Sequence, residues 1–389
     1  MTIPFSSPFV GRARLLTPIF ASMLGLAACS SPQNNEQAGA TTDAASTMAD
    51  TAAAAPSAAP KAVQPAGPAP AWAPDIAPEM QTVIEKLASL SGPTPPEKLP
   101  VAEVRKAPSA TDATMAVMKD YGIQTPPSKL DTMSREVAPG VKARIYTPKG
   151  ATGPLPVVVY YHGGGWVIAN LDTYDPSVRA LAEQTGAIFV SVAYRQAPEH
   201  KFPTAHNDSF AAYQWVLKNA ASIKGDPKRV AVAGESAGGN LAAAVCMMAR
   251  DKGVMQPKHQ LLVYPIAGYD LNTPSYQKNA QAKPLSKPFM AWFFDKYLRT
   301  PADGKNPLIS LVTAPNLKGL APATVIGAGI DPLMSEGKTY ADKLQAAGVP
   351  VTYKLYDNVT HEFFGMGAVV PEAKAAEAQA AEELKKALQ

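Results

Sequence analysis

Ser236 sits in Gly234-Glu235-Ser236-Ala237-Gly238, directly after the apolar run RVAVAG and directly before an apolar, alanine-rich stretch. A serine hydroxyl is a poor nucleophile at neutral pH and needs a base within hydrogen-bond reach. A tight strand-to-helix turn flanked by small residues would hold it strained and exposed, with the positive end of the following helix aimed at it. G-x-S-x-G alone is a weak signal, since about one chain in ten of this length carries one by chance. Its place between a strand and a helix gives it weight. The chemistry it points to is attack on a carbonyl carbon.

Such attack needs a base, an orienting carboxylate and donors for the oxyanion. Of the five histidines, only His361 follows the last strand-like run, in VTYKLYDNVTHEFFG. His162, His200, His206 and His259 lie elsewhere, and structural roles are expected for the last three. Asp331 follows ATVIGAGI and precedes a helical pattern, whereas Asp357 lies four residues before His361. Four residues leave little chain to turn an imidazole back, so Asp331 is the preferred orienter. Donors are expected from the stretch VVVYYHGGGWVIAN. Without a Cβ in the way, Gly163, Gly164 and Gly165 can present bare amides to one point. The amide of Ala237, just after the serine, would add another.

These residues need a frame that brings strand ends together. REVAPGVKARIYTP reads as two strands joined by a Pro-Gly turn. Beyond it, β-branched runs alternate with amphipathic helices: PVVVYYH, AIFVSVAY, RVAVAG, QLLVYP, ATVIGAG and VTYKLYD. That alternation predicts an α/β fold with about eight strands, mostly parallel and covered by helices on both faces. In such sheets ligands sit beyond the carboxyl ends of the strands, where Ser236, Asp331, His361 and the glycines all fall. Ahead of the sheet, residues 73–130 read as a helical region. One helix carries Ile76, Met80, Val83, Ile84, Leu87 and Leu90 on one face. A second begins after Ser109 and places Met115, Met118 and Tyr121 on one side.

The N-terminus has another character. Arg12 and Arg14 precede an apolar stretch from Leu15 to Ala28 that is short for a membrane span and interrupted by Pro18. Leu26-Ala27-Ala28-Cys29 resembles a bacterial lipobox, which implies lipidation of Cys29 and a membrane anchor in the cell envelope, with Ser30 favouring the outer membrane. A plain secretory signal cut near Ala28 is the alternative. Residues 29–72, rich in Ala, Pro, Ser and Thr, read as a disordered tether. The one other cysteine, Cys246, falls in an apolar helical stretch and suits a small buried residue. Two cysteines are too few for a cysteine metal site. The formal charge of +4 is spread without a basic run, so no nucleic-acid partner is expected.

Taken together, several segments identify a resemblance. Tyr161-His162-Gly163-Gly164-Gly165-Trp166, YRQAPEHKFPTAHND, Gly234 to Asn240, Asn306-Pro307-Leu308-Ile309-Ser310, Asp331-Pro332-Leu333 and His361 occur in the order seen in the hormone-sensitive-lipase-like carboxylesterases of the α/β-hydrolase superfamily. The resemblance covers residue 75 to the end. It implies an α/β-hydrolase fold in residues 131–389, a cap formed by residues 73–130 with help from an insertion near 270–300, and no cofactor. It further implies a Ser236–His361–Asp331 triad and an oxyanion hole of the 163–165 and Ala237 amides, with His162 bracing that loop. The expected substrate is a small ester with a short or medium acyl chain, and Trp166 would lie near the pocket floor; Met80, Met115 and Met118 are expected to pack between cap and core, with lining of the acyl pocket as the alternative. A silent ligand-binding lipoprotein and an amidase are the competing readings. Glu362 stands where the family often has glycine and is expected to point to solvent.

Overall fold

The computed structural model describes residues 62–389. The expected signal segment, Cys29 and most of the expected tether lie outside the described residues. Eight strands form one sheet: β1 (Leu130–Ala138), β2 (Val141–Pro148), β3 (Leu155–Tyr161), β4 (Ile188–Ala193), β5 (Gly225–Glu235), β6 (Gln260–Val263), β7 (Ala323–Ile330) and β8 (Val351–Thr360). Their spatial order is β1-β2-β4-β3-β5-β6-β7-β8. β2 runs antiparallel to both its neighbours, and the pairs from β4 and β3 through β7 and β8 are parallel. The hairpin and the parallel array are as the sequence pattern requires. β7 is buried along its whole length, which is why ATVIGAGI lacks a polar alternation.

Among the described residues, ten α-helices accompany the sheet. α1 (Pro78–Leu90), α2 (Val101–Val104) and α3 (Ala110–Tyr121) precede it; α4 (Asp175–Thr185), α5 (Thr204–Asn219) and α6 (Ala237–Asp251) connect its first strands. α7 (Pro274–Lys278) and α8 (Lys287–Tyr297) lie in the segment between β6 and β7, and α9 (Met334–Ala346) and α10 (Pro371–Ala387) complete the fold. Two apolar clusters cover the two faces of the sheet. One joins α5, α6, α8 and α9 to Val157, Val159 and Val232; the other joins α1, α3, α4 and α10 to Val158, Tyr160 and Ala233.

The chain leaves β3, forms β4 on one side, and returns to form β5 on the other side of β3. The crevice beyond β3 and β5 is therefore the switch point of the sheet, where a ligand site belongs. The glycine stretch follows β3 and Ser236 follows β5.

The N-terminal helices form as their sequence predicts, with one face reassigned. Ser109 and Asp112 make a reciprocal capping box at the start of α3, and Gly122 ends that helix in the left-handed region. Its buried face carries Ala113, Thr114 and Val117, while Met115 is 61% exposed. Small residues let α3 lie close to α1, so the longer Met115 is displaced to solvent. Met80 is fully buried, as expected. Packed structure also begins ahead of residue 73. The Gln81 side chain donates to the carbonyls of Gly67 and Pro68, Tyr121 donates to Gln64 O, and Val63 is buried. The Ala77 amide donates to Asn358 O at 2.8 Å and the Thr111 hydroxyl to Thr173 O at 2.7 Å, so these helices are fastened near the carboxyl edge of the sheet.

Candidate active site

The turn from β5 into α6 sets Ser236 at φ 56° and ψ −116°, a strained position for a residue with a side chain. Small neighbours make that turn possible. A Cβ on Gly234 would lie 2.2 Å from Gly238 O, and one on Gly238 would lie 1.9 Å from Tyr161 O. Sequence spacing and steric requirement therefore agree at this point.

His361 directly follows β8 and turns its ring to the serine. Its Nε2 lies 2.9 Å from Ser236 Oγ, and its Nδ1 lies 2.7 Å from Asp331 Oδ2. Asp331 directly follows β7, is fully buried, and accepts the Leu333 amide on its other oxygen at 2.8 Å. The choice of Asp331 over Asp357 thus matches the geometry. Burial works against a charged His361, but the carboxylate of Asp331, helped by Glu362, outweighs it and holds the imidazole above its ordinary 6.5. An arrangement of this kind can draw a proton from Ser236 and stabilise the resulting imidazolium.

After β3 the backbone bends through the three glycines. Gly164 has φ +92° and Gly165 has φ +57°. Among the described residues, the amides of Gly163, Gly164, Gly165 and Ala237 donate to no protein acceptor. His162 is buried, and its Nδ1 lies 2.8 Å from Gly163 O. Tyr194 stacks on the His162 ring and donates to His162 O at 2.9 Å. Burial pushes His162 down to about 4, so it is a neutral brace. Arg105, just after α2, adds a second clamp through bonds to Val167 O and Ala197 O, beside its pair with Glu199.

The segment between β6 and β7 packs against the glycine loop. A Cβ on Gly165 would lie 2.1 Å from Phe293, and Trp166 stacks on Tyr297 at 4.5 Å. Both partners belong to α8. Ser236 is 4% exposed and His361 3%, so both are buried. His206 bonds Tyr297 and Asn240, and His259 bonds Thr324, which suits their expected structural roles. Cys246 is buried in α6.

Some residues of the site were not anticipated. Glu235 is fully buried and accepts hydrogen bonds from Tyr160 and Tyr264. The Tyr264 ring lies against His361 at 4.5 Å. Burial first, and then the charge of Glu362, push Glu235 up to about 8 despite those hydroxyls. Asn279, from the insertion, donates to Asp331 O at 3.0 Å. Glu362 does not point to solvent: φ +70° turns it back, and Tyr174 donates to its carboxylate at 2.7 Å. Only the position of Glu235 inside the G-x-S-x-G could have signalled its place in advance. Among the described residues no group of three His, Cys, Asp or Glu side chains could hold a metal ion.

A doubly wound sheet with a strained serine at a strand-to-helix turn, a histidine base and a buried aspartate defines an α/β hydrolase. Comparison with known proteins agrees: a family model described as the alpha/beta hydrolase fold matches residues 158–365, and the chain belongs to that family. It is similar to the carboxylesterase NlhH of Mycobacterium tuberculosis, 41% identical over 276 residues that cover 68% of this chain and 86% of the relative. It is also similar to an ethyl acetate hydrolase of Pseudomonas putida, 34% identical across 59% of this chain and 73% of that one. Among solved structures, a thermostable esterase from Pseudomonas putida ECU1011 superposes with a TM-score of 0.72 at 35% identity, covering 79% of this chain and 97% of that structure. These relatives place the protein among the serine ester hydrolases, in the group related to hormone-sensitive lipase.

Proposed function

We propose that this protein hydrolyses short- to medium-chain acyl esters through an acyl-enzyme on Ser236. The observation that carries the proposal is the continuous chain of hydrogen bonds from Ser236 Oγ through His361 to Asp331 Oδ2, at 2.9 Å and 2.7 Å. His361 takes the serine proton as the Ser236 oxygen bonds to the ester carbon, and returns it to the departing alcohol. Water, activated by the same imidazole, then releases the acid and frees the serine. Asp331 orients the ring through Nδ1. The amides of Ala237 and the 163–165 glycines hold the negative oxygen of the tetrahedral stage, which is where catalysis gains most. A complete triad counts against a silent binding protein, and the carboxylesterase relatives favour esters over amides.

Phe293 of α8, packed against Gly165 of the glycine loop, supports a small acyl group. A relative named for hydrolysing ethyl acetate points the same way. In this reading α1 to α3 and the α7–α8 segment act as the cap. Turnover of p-nitrophenyl esters from acetate to palmitate tests it. Activity should peak at the short end and disappear in Ser236→Ala; a rise towards palmitate would contradict the acyl preference. Attachment to the cell envelope through a lipid on Cys29 belongs to the same proposal and rests on the Leu-Ala-Ala-Cys sequence. Cys29→Ser should release the protein from membranes, and continued partitioning would refute the anchor.

A further inference from the structure

Glu362 follows the histidine base and occupies the left-handed region at φ +70°, where residues with side chains are uncommon. That conformation returns its carboxylate to the reaction centre. Oε1 lies 3.7 Å from His361 Nε2, the same nitrogen that faces Ser236 Oγ at 2.9 Å. The separation is too long for a hydrogen bond but close for two charges. Tyr174, just ahead of α4, donates its hydroxyl to both carboxylate oxygens, at 2.7 and 2.9 Å. That hydroxyl also fills the space a Cβ on Gly163 would take, 2.2 Å away, so one tyrosine touches both the glycine loop and Glu362. The Glu362 side chain is only 22% exposed, and among the described residues no lysine or arginine pairs with it. Its ionic partner is His361.

We propose that Glu362 is a positioning residue acting through His361: a second carboxylate, held by Tyr174, that stabilises the imidazolium formed when Ser236 gives up its proton. This rests on the hydrolytic reading above. The proton passes from Ser236 Oγ to His361 Nε2 and then to the leaving alcohol; Glu362 takes none. Other groups face the imidazole too. Asp331 follows β7 and binds Nδ1, Glu235 ends β5 and is tied to Tyr160 of β3, and Tyr264 after β6 lays its ring on His361. Glu235 is already occupied by Tyr160 and Tyr264, whereas Glu362 faces Nε2 itself.

The test is the pH profile of kcat/KM on p-nitrophenyl butyrate with the full chain, comparing wild type, Glu362→Gln, Glu362→Asp and Tyr174→Phe. Removing a charge this close to the imidazole should lower the acid-limb pKa by about one unit, since opposite charges within reach shift a group by one to three. Glu362→Gln should therefore hold its relative activity to lower pH, with a several-fold lower plateau kcat and a KM within about twofold. Glu362→Asp should restore much of the wild-type limb, and Tyr174→Phe should shift it in the same direction by less. An unshifted limb in a folded, active Glu362→Gln overturns the proposal. If that variant fails to fold, an unshifted limb in Tyr174→Phe does so. An NMR titration of His361 in the Ser236→Ala background reads the same shift without turnover. Absence of Ser236-dependent esterase activity would thus count against the hydrolytic reading alone, while the titration still decides the role of Glu362.

Discussion

Replacing Gly164 by alanine probes the proposed oxyanion loop at the one of its three glycines whose added Cβ would first meet backbone rather than a side chain. The added Cβ would meet Ile168 O at 2.3 Å, with Ala169 Cβ at 2.9 Å, where ordinary contact begins at 3.4 Å. Relief therefore needs a backbone shift of about 1 Å, because the obstacle is a carbonyl and not a movable side-chain tip. The conformation adds to this: φ is +92°, and an L-residue in the left-handed half of the map costs about 1–2 kcal/mol. Against a total stability of roughly 5–15 kcal/mol, the protein should still fold. Its Tm should drop by several degrees, at about 2–4 °C per kcal/mol for a domain of this class. Activity should fall much further. Displacing one oxyanion donor lowers kcat by about 10²–10³. The assay is kcat and KM on p-nitrophenyl butyrate, with circular dichroism and a thermal melt on the same preparation. A folded Gly164→Ala protein within about fivefold of wild-type kcat would refute the reasoning, since the amides would then not need the observed path.

Asp331→Asn keeps the shape of the orienter but removes the charge that fixes the imidazole tautomer, so kcat should fall by about 10³–10⁴ with little change in Tm. Arg105→Ala removes the bonds to Val167 O and Ala197 O and should lower kcat about tenfold, together with a fall in Tm of several degrees. Glu235 titrates near 8 in the folded protein against an ordinary 4.5, so the folded state holds the extra proton between those values and stability falls as pH rises through that window. Glu235→Gln cannot titrate. Its Tm should decline less than that of wild type between pH 5 and pH 8, and parallel declines would show that the buried carboxyl carries no such linkage.

Why some of this could be read from the sequence and some could not has physical causes. Strand runs such as VVVYY and ATVIGAGI lie on both faces in the core, so their composition announces them. Ser236, Asp331 and His361 each follow a strand, and a parallel sheet collects such positions at one edge. The chain between Asp357 and His361 is too short to fold back, which decided between the two aspartates. Contacts across long sequence separations left no such trace. Tyr174 and Glu362 meet 188 residues apart, and nothing local to Glu362 announces the backbone turn that brings them together. The α3 face misled for another reason: methionine is apolar, but close packing on α1 selects small residues such as Ala113. In the insertion, α7 and α8 follow Thr273 and Ser286, each an N-cap ahead of a proline near the helix start. Those short signals are legible only once the strands around them are fixed.

The most direct test of the central claim is to label the nucleophile. An organophosphonate fluoride reacts with a serine only where a neighbouring base and an oxyanion site activate it. Intact mass and peptide mapping should show one adduct per chain, on the peptide containing Ser236, absent in Ser236→Ala and strongly slowed in His361→Ala. A folded protein that takes no label, or takes it on another residue, would contradict the account.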